Sequence, residues 1–142
     1  MAQAISGIMN AGHITDTVVH SLAAGLNSVP SILQGPAMLI ANTIINVFLT
    51  SGSGQAAAVI PIMAPLADLV GMTRQTAILA FNFGDGFCNY ILPTSTALMG
   101  IISAVNIPYD RWMKFMWKLF LIWMVVGSVL LMIAQAMHWG PM

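Results

Sequence analysis

Residues 51–95 read SGSGQAAAVIPIMAPLADLVGMTRQTAILAFNFGDGFCNYILPTS. Apolar runs in this stretch are interrupted by small, polar and proline residues, first at residues 51–55 and again between residues 82 and 96. Irregular backbone at membrane depth survives only when it is buried in protein or lines a cavity. The pattern therefore predicts helices that are broken inside a membrane, which is typical of secondary transporters.

The composition of the whole chain supports a membrane protein. Of its 142 residues, 58% are hydrophobic and 6% are charged, whereas soluble domains carry about 25% charged residues. Four Lys and Arg residues and a net charge of zero give no basis for a nucleic-acid partner. The single cysteine, Cys88, cannot form an intrachain disulfide. No nucleophile lies beside a base in any recognisable motif, so we predict no enzyme activity, no metal site and no bound cofactor.

The N-terminal region, residues 1–29, is predicted to form an interfacial or connecting helix. Apolar residues recur every four positions from Ile14 to Leu26, in a segment that is too short and too polar to span a bilayer. The predicted membrane elements are few for a complete transporter. We therefore expect a longer protein, with a missing N-terminal half as this chain's partner.

Residues 30–71 are predicted to form a re-entrant helical hairpin whose tip is at residues 51–55. The second arm, residues 56–70, contains Pro61 and Pro65 and would be short for a straight membrane-spanning helix. The alternative is an exposed loop between two complete spans.

Two asparagines in the first hairpin arm, Asn42 and Asn46, are one helical turn apart and share a face. A polar stripe on a membrane helix faces protein or a water-filled cavity rather than lipid. Hydrogen bonding between helices is the simpler interpretation of these residues, and a cavity-facing role is the alternative.

Residues 73–106 are predicted to form a discontinuous transmembrane helix. A first helical segment, residues 75–83, meets an interruption at residues 82–89, and a second interruption follows at residues 93–96. Thr73 is placed to cap the first segment. This region would then cross the membrane as two half-helices.

Residues 107–142 are predicted to contain an interfacial loop and a final transmembrane helix from residue 113 to 137. Tryptophans alternate with basic residues at the start of this region, as expected at a membrane surface. Of the four Lys and Arg residues in the chain, Arg111, Lys114 and Lys118 lie here. The positive-inside rule places this loop in the cytoplasm.

Asp85 is the one acidic residue within the predicted membrane interior. A carboxylate at that depth is costly and is a functional candidate by default. It would pair with a substrate ammonium, bind a coupling cation or carry a proton. The alternative is a cap on the half-helix that follows.

Free helix ends at the two interruptions would attract substrate carboxylates and coupling ions. The candidate substrate- and ion-binding residues are those at the interruptions, namely Ser51, Gly52, Ser53, Gly54, Gln55, Asn82, Gly84, Asp85, Gly86, Asn89, Pro93, Thr94, Ser95 and Thr96. Asn42 and Asn46 are weaker candidates.

The order of several motifs resembles the YfcC-like branch of the anaerobic C4-dicarboxylate carrier group. The motifs are SGSGQ (51–55), PIMAPLADL (61–69), TRQTAILAF (73–81), FGDGF (83–87) and IPYDRWMKF (107–115). The resemblance implies an all-α, multi-pass transporter of the ion-transporter superfamily in the bacterial inner membrane. It also implies two inverted repeats, each with a re-entrant hairpin and a broken helix, of which this chain would be the second.

The same resemblance implies transport of C4-dicarboxylates or basic amino acids. Better-known members of the superfamily have a Ser-Asn-Thr type of hairpin tip, from which Ser-Gly-Ser-Gly-Gln departs. Asp85 suits an amino-acid ammonium better than a second substrate carboxylate.

We therefore expect a secondary transporter in the lipid bilayer, driven by Na⁺, H⁺ or exchange, that moves a small carboxylate or amino-acid substrate. A homodimer is left open. The alternatives are a channel-like subunit and a structural membrane subunit without transport activity of its own.

Overall fold

The computed structural model describes residues 24–25, 28–48 and 51–140. These residues form helices and turns and no strand, which confirms the prediction of an all-α chain. The helices are α1 (Ser31–Phe48), α2 (Gly52–Val70), α3 (Arg74–Cys88), α4 (Thr96–Ala104) and α5 (Tyr109–Ala136). The predicted interfacial helix of residues 1–29 lies outside the described residues, apart from 24–25 and 28–29.

Three of these helices are long and apolar enough to cross a membrane. They are α1 with 18 residues, α2 with 19 and α5 with 28. The final helix begins at Tyr109 rather than at residue 113, because the chain turns helical directly after Pro108 and proline suits the position before or within a first helical turn.

The hairpin tip differs from its prediction, because residues 52–55 are helical and form the first turn of α2. Ser51 is the N-cap, and its Oγ accepts a hydrogen bond from the Gly54 backbone N–H at 3.3 Å. Such a cap stabilises a helix start by about 1 kcal/mol. The predicted non-helical turn at residues 51–55 is therefore wrong beyond Ser51, and α2 is longer than the short arm expected. The re-entrant path through the membrane stays a prediction.

The segment predicted to be a discontinuous helix leaves helical conformation later than expected. Helix α3 continues through residues 84–86 to Cys88, and the chain leaves helical conformation at residues 89–95. A Cβ built on Gly84 would lie 2.8 Å from Asn42 Cβ and 3.1 Å from the Thr43 backbone nitrogen. Gly84 thus allows α3 to pack closely on α1, as small residues do between membrane helices. The interruption at residues 82–89 was wrong, because this glycine serves packing and does not end the helix.

Helix α3 organises the packing of the other long helices. It packs most extensively against α1 and also contacts α2 and α5, whereas direct contact between α1 and α2 is much smaller. The shared core contains Leu39 of α1, Leu66 of α2, Ala80 of α3 and Leu131 of α5. The two predicted hairpin arms are therefore bridged by α3 rather than packed on each other along their length.

The turn between α2 and α3 is fixed by the chain that follows α5. Thr73 caps α3, as predicted, by accepting a hydrogen bond from the Thr76 N–H at 3.3 Å. Its Oγ1 donates to the Trp139 carbonyl at 2.7 Å. Asp68 and Arg74 form an exposed ion pair at 2.6 Å beside this turn. These contacts lie at the end of α2 opposite to Ser51.

Candidate functional site

A chain of side-chain hydrogen bonds joins Asp85 to three helices. Asp85 Oδ1 accepts from Asn46 Nδ2 at 2.6 Å and from Asn89 Nδ2 at 3.1 Å. Asn46 Nδ2 also lies 2.6 Å from Gln55 Oε1, and Gln55 Nε2 donates to the Asn42 backbone carbonyl at 3.1 Å. This polar network therefore connects α1, the first turn of α2 and the end of α3.

The backbone carbonyl of Asn42 fixes the direction of the hydrogen bonds that run through Gln55 and Asn46 to Asp85. A carbonyl can only accept, so the amide nitrogen of Gln55 must face it. Gln55 then presents its oxygen to Asn46, and Asn46 presents its nitrogen to Asp85. Asp85 Oδ1 is consequently the acceptor in its hydrogen bond with Asn46. Asn42, Asn46 and Gln55 have no exposed surface, which strengthens bonds to a charged oxygen.

The position of Asp85 contradicts the simpler interpretation of this residue as a cap on the helix that follows it, α4. Asp85 lies in the last turn of α3, and the residue that precedes α4 is Ser95. The Asp85 carboxylate instead lies against the first turn of a different helix, α2, where a Cβ built on Gly52 would be 2.8 Å from Oδ2. The partial positive charge of a helix N-terminus stabilises a carboxylate there. Within the described part of the chain, Oδ2 accepts no hydrogen bond.

Two acceptors beside the polar network lack donors among the described residues. They are the buried Oδ1 atoms of Asn42 and Asn46. Asn46 bonds across helices, whereas Asn42 Nδ2 donates to the Met38 carbonyl of its own helix at 2.9 Å. Buried polar atoms without partners are uncommon in folded proteins, so this region retains unused capacity to accept hydrogen bonds.

A cavity of about 710 Å³ lies next to the polar network. Its lining includes six of the residues predicted from sequence: Ser51, Gly86, Asn89, Thr94, Ser95 and Thr96. Asn89 connects the cavity to the network, because it lines the wall and donates to Asp85. Gln55 and Asp85 belong to the polar network and do not line the cavity, and Gly52 lies against Asp85. Ser53, Asn82 and Pro93 are exposed and do not belong to either group.

Two aromatic side chains of the cavity wall, Tyr90 and Trp112, were missed by sequence reasoning. Trp112 resembled an interfacial anchor, but its Nε1 donates to the Tyr90 backbone carbonyl at 2.9 Å. Tyr109 Oη similarly donates to the Ile91 carbonyl at 2.6 Å. Both bonds tie α5 to the irregular segment after α3. No local signal marks them, since the partners are brought together by the return of the chain through α4.

The N-terminus of α4 opens onto the same cavity. Residues Thr96, Ala97 and Leu98, in the first turn of α4, line it, and the N–H groups of a first turn have no partner within their own helix. Ser95 is the N-cap residue, yet its side chain makes no capping hydrogen bond. Only 6% of Ser95 is exposed. Its hydroxyl therefore has no partner among the residues described and lies at a cavity wall.

Apolar helices of spanning length and a buried polar network beside a cavity are together typical of a multi-pass membrane protein. The chain belongs to the C4-dicarboxylate anaerobic carrier family (DcuC), whose family model matches residues 1–136. The resemblance inferred from the motifs is confirmed.

Two curated relatives match most of this chain. It is 38% identical over 124 residues to an Escherichia coli (strain K12) protein described as "Putative basic amino acid antiporter YfcC", covering 87% of this chain and 24% of the relative. It is 28% identical over 138 residues to an uncharacterized Haemophilus influenzae protein, covering 97% of this chain and 27% of that relative. The chain thus spans about a quarter of the length of these relatives. No solved structure matches it.

Proposed function

We propose that this chain forms part of a secondary active transporter that moves a small carboxylate-bearing metabolite across the bacterial inner membrane. The substrate is an amino acid or a C4-dicarboxylate, and transport is driven by Na⁺, H⁺ or exchange. The family supports transport in general, and the description of the Escherichia coli relative supports amino-acid exchange in particular.

The observation that carries the proposal is the Asp85 carboxylate, which the polar network holds next to a cavity of about 710 Å³. Asp85 is half-buried, and a carboxylate that is removed from water is costly unless it is well paired. Its partners here are neutral amides and the N-terminus of α2. The charge is therefore stabilised without a basic residue. A structural subunit has no need of such a charge, and a channel has no need of an interrupted helix beside a cavity.

The polar network also gives a physical route from ion binding to movement. Its bonds join α1, α2 and α3, so a cation or proton at Asp85 would change contacts to all three helices together. Alternating access requires such a shared element, because ligands shift conformations only through unequal contacts with the two states. In this proposal, loading of Asp85 weakens the bonds from Asn46 and Asn89 and frees the start of α2 to move.

The test uses the full-length transporter in proteoliposomes, with Asp85→Asn compared with wild type. Asparagine keeps the size of the side chain, and its Oδ1 can still accept from Asn46 and Asn89, so insertion should persist. We expect uptake or exchange to fall at least about tenfold, equivalent to about 1.4 kcal/mol. Repeating the assay with a Na⁺ gradient alone and a pH gradient alone identifies the coupling ion.

Asp110→Asn is the matched control, because Asp110 is an exposed residue in the first turn of α5. It should transport like wild type at equal protein level. Normal transport by Asp85→Asn would refute the functional role of this carboxylate. Equal losses in both variants would show that a negative charge matters irrespective of its position, which also contradicts the proposal.

A further inference from the structure

We propose that Asp85 is a built-in anion that fills the N-terminus of α2, so that this part of the site accepts one substrate carboxylate, at the N-terminus of α4. The inference rests on the transport function proposed above and names its substrate class. It predicts a preference for monocarboxylates, such as amino acids, over C4-dicarboxylates.

Two helix N-termini face the same cavity. The N-cap residues of α2 and α4, Ser51 and Ser95, both line it. A helix N-terminus attracts carboxylates through its free N–H groups and its partial positive charge. Two such ends in one cavity would suit a substrate with two carboxylates, if both ends were vacant.

The N-terminus of α2 already has a carboxylate beside it. Asp85 Oδ2 lies against Gly52, where a built Cβ would be only 2.8 Å away, and the Gly54 N–H is taken by Ser51 Oγ. The polar network holds this carboxylate in place through its other oxygen, Oδ1. A second carboxylate brought to α2 would meet a fixed like charge.

The N-terminus of α4 has no such internal anion among the described residues. Ser95 is more than nine-tenths buried, lines the cavity, makes no capping hydrogen bond and has no other side-chain partner among the described residues. In the described part of the chain, no Lys or Arg lines the cavity. The Ser95 hydroxyl and the first-turn N–H groups of α4 are therefore the groups available to hold a carboxylate.

The remaining cavity wall suits the ammonium group and side chain of an amino acid better than a second carboxylate. Tyr90, Trp112, Leu98 and Ile101 supply aromatic and aliphatic surface. An ammonium group beside Asn89 would be attracted by the Asp85 carboxylate behind it, whereas a carboxylate there would be repelled.

The experiment compares three probes on the purified full-length transporter: succinate, its monoamide succinamate, and L-arginine. Succinate and succinamate have the same length but two carboxylates and one, respectively. Binding is measured by isothermal titration calorimetry, and uptake is measured separately in proteoliposomes. Wild type should bind succinamate and arginine at least about tenfold more tightly than succinate, equivalent to about 1.4 kcal/mol.

Asp85→Asn should improve succinate binding relative to succinamate by at least about tenfold, because it vacates the anion position at α2. Gly52→Ala tests the same position without removing the charge, since its Cβ displaces the carboxylate, and it should change the ratio in the same direction. Ser95→Ala should weaken succinamate binding, whereas Ser103→Ala, an exposed serine at the end of α4, should not.

Several results would overturn the inference. These are tighter binding of succinate than succinamate by wild type, an unchanged ratio in both Asp85→Asn and Gly52→Ala, or equal effects of Ser95→Ala and Ser103→Ala. Failure of wild type to bind any of the three probes would also count against it. If binding follows the expected pattern but no probe crosses the membrane, the proposed transport function fails while the carboxylate assignment stands.

Discussion

The N-termini of α2 and α4 have the same N-cap residue but different chemical surroundings. Each follows a serine N-cap that lines the same cavity. At α2, Ser51 accepts a hydrogen bond from its own helix and the Asp85 carboxylate lies against the first turn. At α4, Ser95 makes no capping bond. The comparison teaches that two helix N-termini with the same N-cap residue can differ in whether the fold places an anion beside them, which is why we propose the N-terminus of α4 as the ligand site.

The largest expected effect comes from Gly52→Val, which disturbs the Asp85 carboxylate at the N-terminus of α2. A β-branched side chain at this position would collide with Asp85 Oδ2, since even a Cβ would lie 2.8 Å away. We expect transport to fall at least about a hundredfold, roughly 2.7 kcal/mol, with the protein still inserted. Initial uptake rates in proteoliposomes are the measurement.

Gly100→Val is the control for that substitution, because a Cβ on Gly100 meets no atom within 4 Å. If Gly52→Val transports as well as Gly100→Val, Gly52 does not provide the room that the carboxylate needs.

The next effect concerns the helix packing that delivers Asp85 to α2. Gly84→Ala places a Cβ 2.8 Å from Asn42 Cβ and 3.1 Å from the Thr43 backbone nitrogen. Overpacking of this kind costs about 1–3 kcal/mol, so the thermal unfolding midpoint in detergent should fall.

Gly86→Ala should not lower that midpoint, because a Cβ on Gly86 has no neighbour within 4 Å. Alanine is also the better helix former. Equal destabilisation by Gly84→Ala and Gly86→Ala would argue against close packing of α3 on α1 at Gly84.

Two serine variants, one at each N-cap, compare the N-termini of α2 and α4 directly. Ser51→Ala removes a formed cap and should reduce stability by about 1 kcal/mol. Ser95→Ala removes a hydroxyl that makes no capping bond, so it should leave stability unchanged and raise the KM for a monocarboxylate substrate. Thermal unfolding and uptake kinetics are measured on both variants. A loss of stability in Ser95→Ala as large as that in Ser51→Ala would mean that the two ends are equivalent.

The smallest effect is expected at Trp112, in the cavity wall near the N-terminus of α4. Trp112→Phe keeps an aromatic ring but removes the 2.9 Å bond from Nε1 to the Tyr90 carbonyl. A hydrogen bond of this type is worth about 1 kcal/mol, so KM should rise roughly fivefold. Trp117→Phe is the control, because Trp117 stacks on Phe120 and does not line the cavity. If the KM rose for Trp117→Phe but not for Trp112→Phe, the role assigned to Trp112 would be contradicted.

Local sequence patterns predicted one helix start correctly and missed another. Thr73 caps α3 as predicted, because a capping hydroxyl acts on N–H groups only three residues away. Ser51 caps α2 in the same way, although residues 51–55 were predicted to form a non-helical turn. Gly84 and Gly86 predicted a break because glycine is a poor helix former. That inference failed because the cost of glycine within a helix is small beside the gain from close packing of α3 on α1.

The candidate site was predicted as a list of residues and not as an arrangement. Asp85 and Asn46 were both named from sequence, but their bond joins residues 39 positions apart. Asn42, Asn46 and Gln55 were assigned to two different features, whereas the structure unites them in one network. Tyr90 and Trp112 carried no signal, since an aromatic residue near a membrane surface is expected for other reasons.

The sequence by itself determined that this chain is helical, apolar enough for a membrane, and equipped with one acid, Asp85, at the predicted membrane depth. Those properties follow from composition and from interactions within one or two helical turns. Only the tertiary structure decided which helix end Asp85 would occupy and which would stay open. The physical reason is that the choice depends on how α1, α2 and α3 approach one another. That approach is set by the space at Gly52 and Gly84 and by hydrogen bonds between residues distant in the chain.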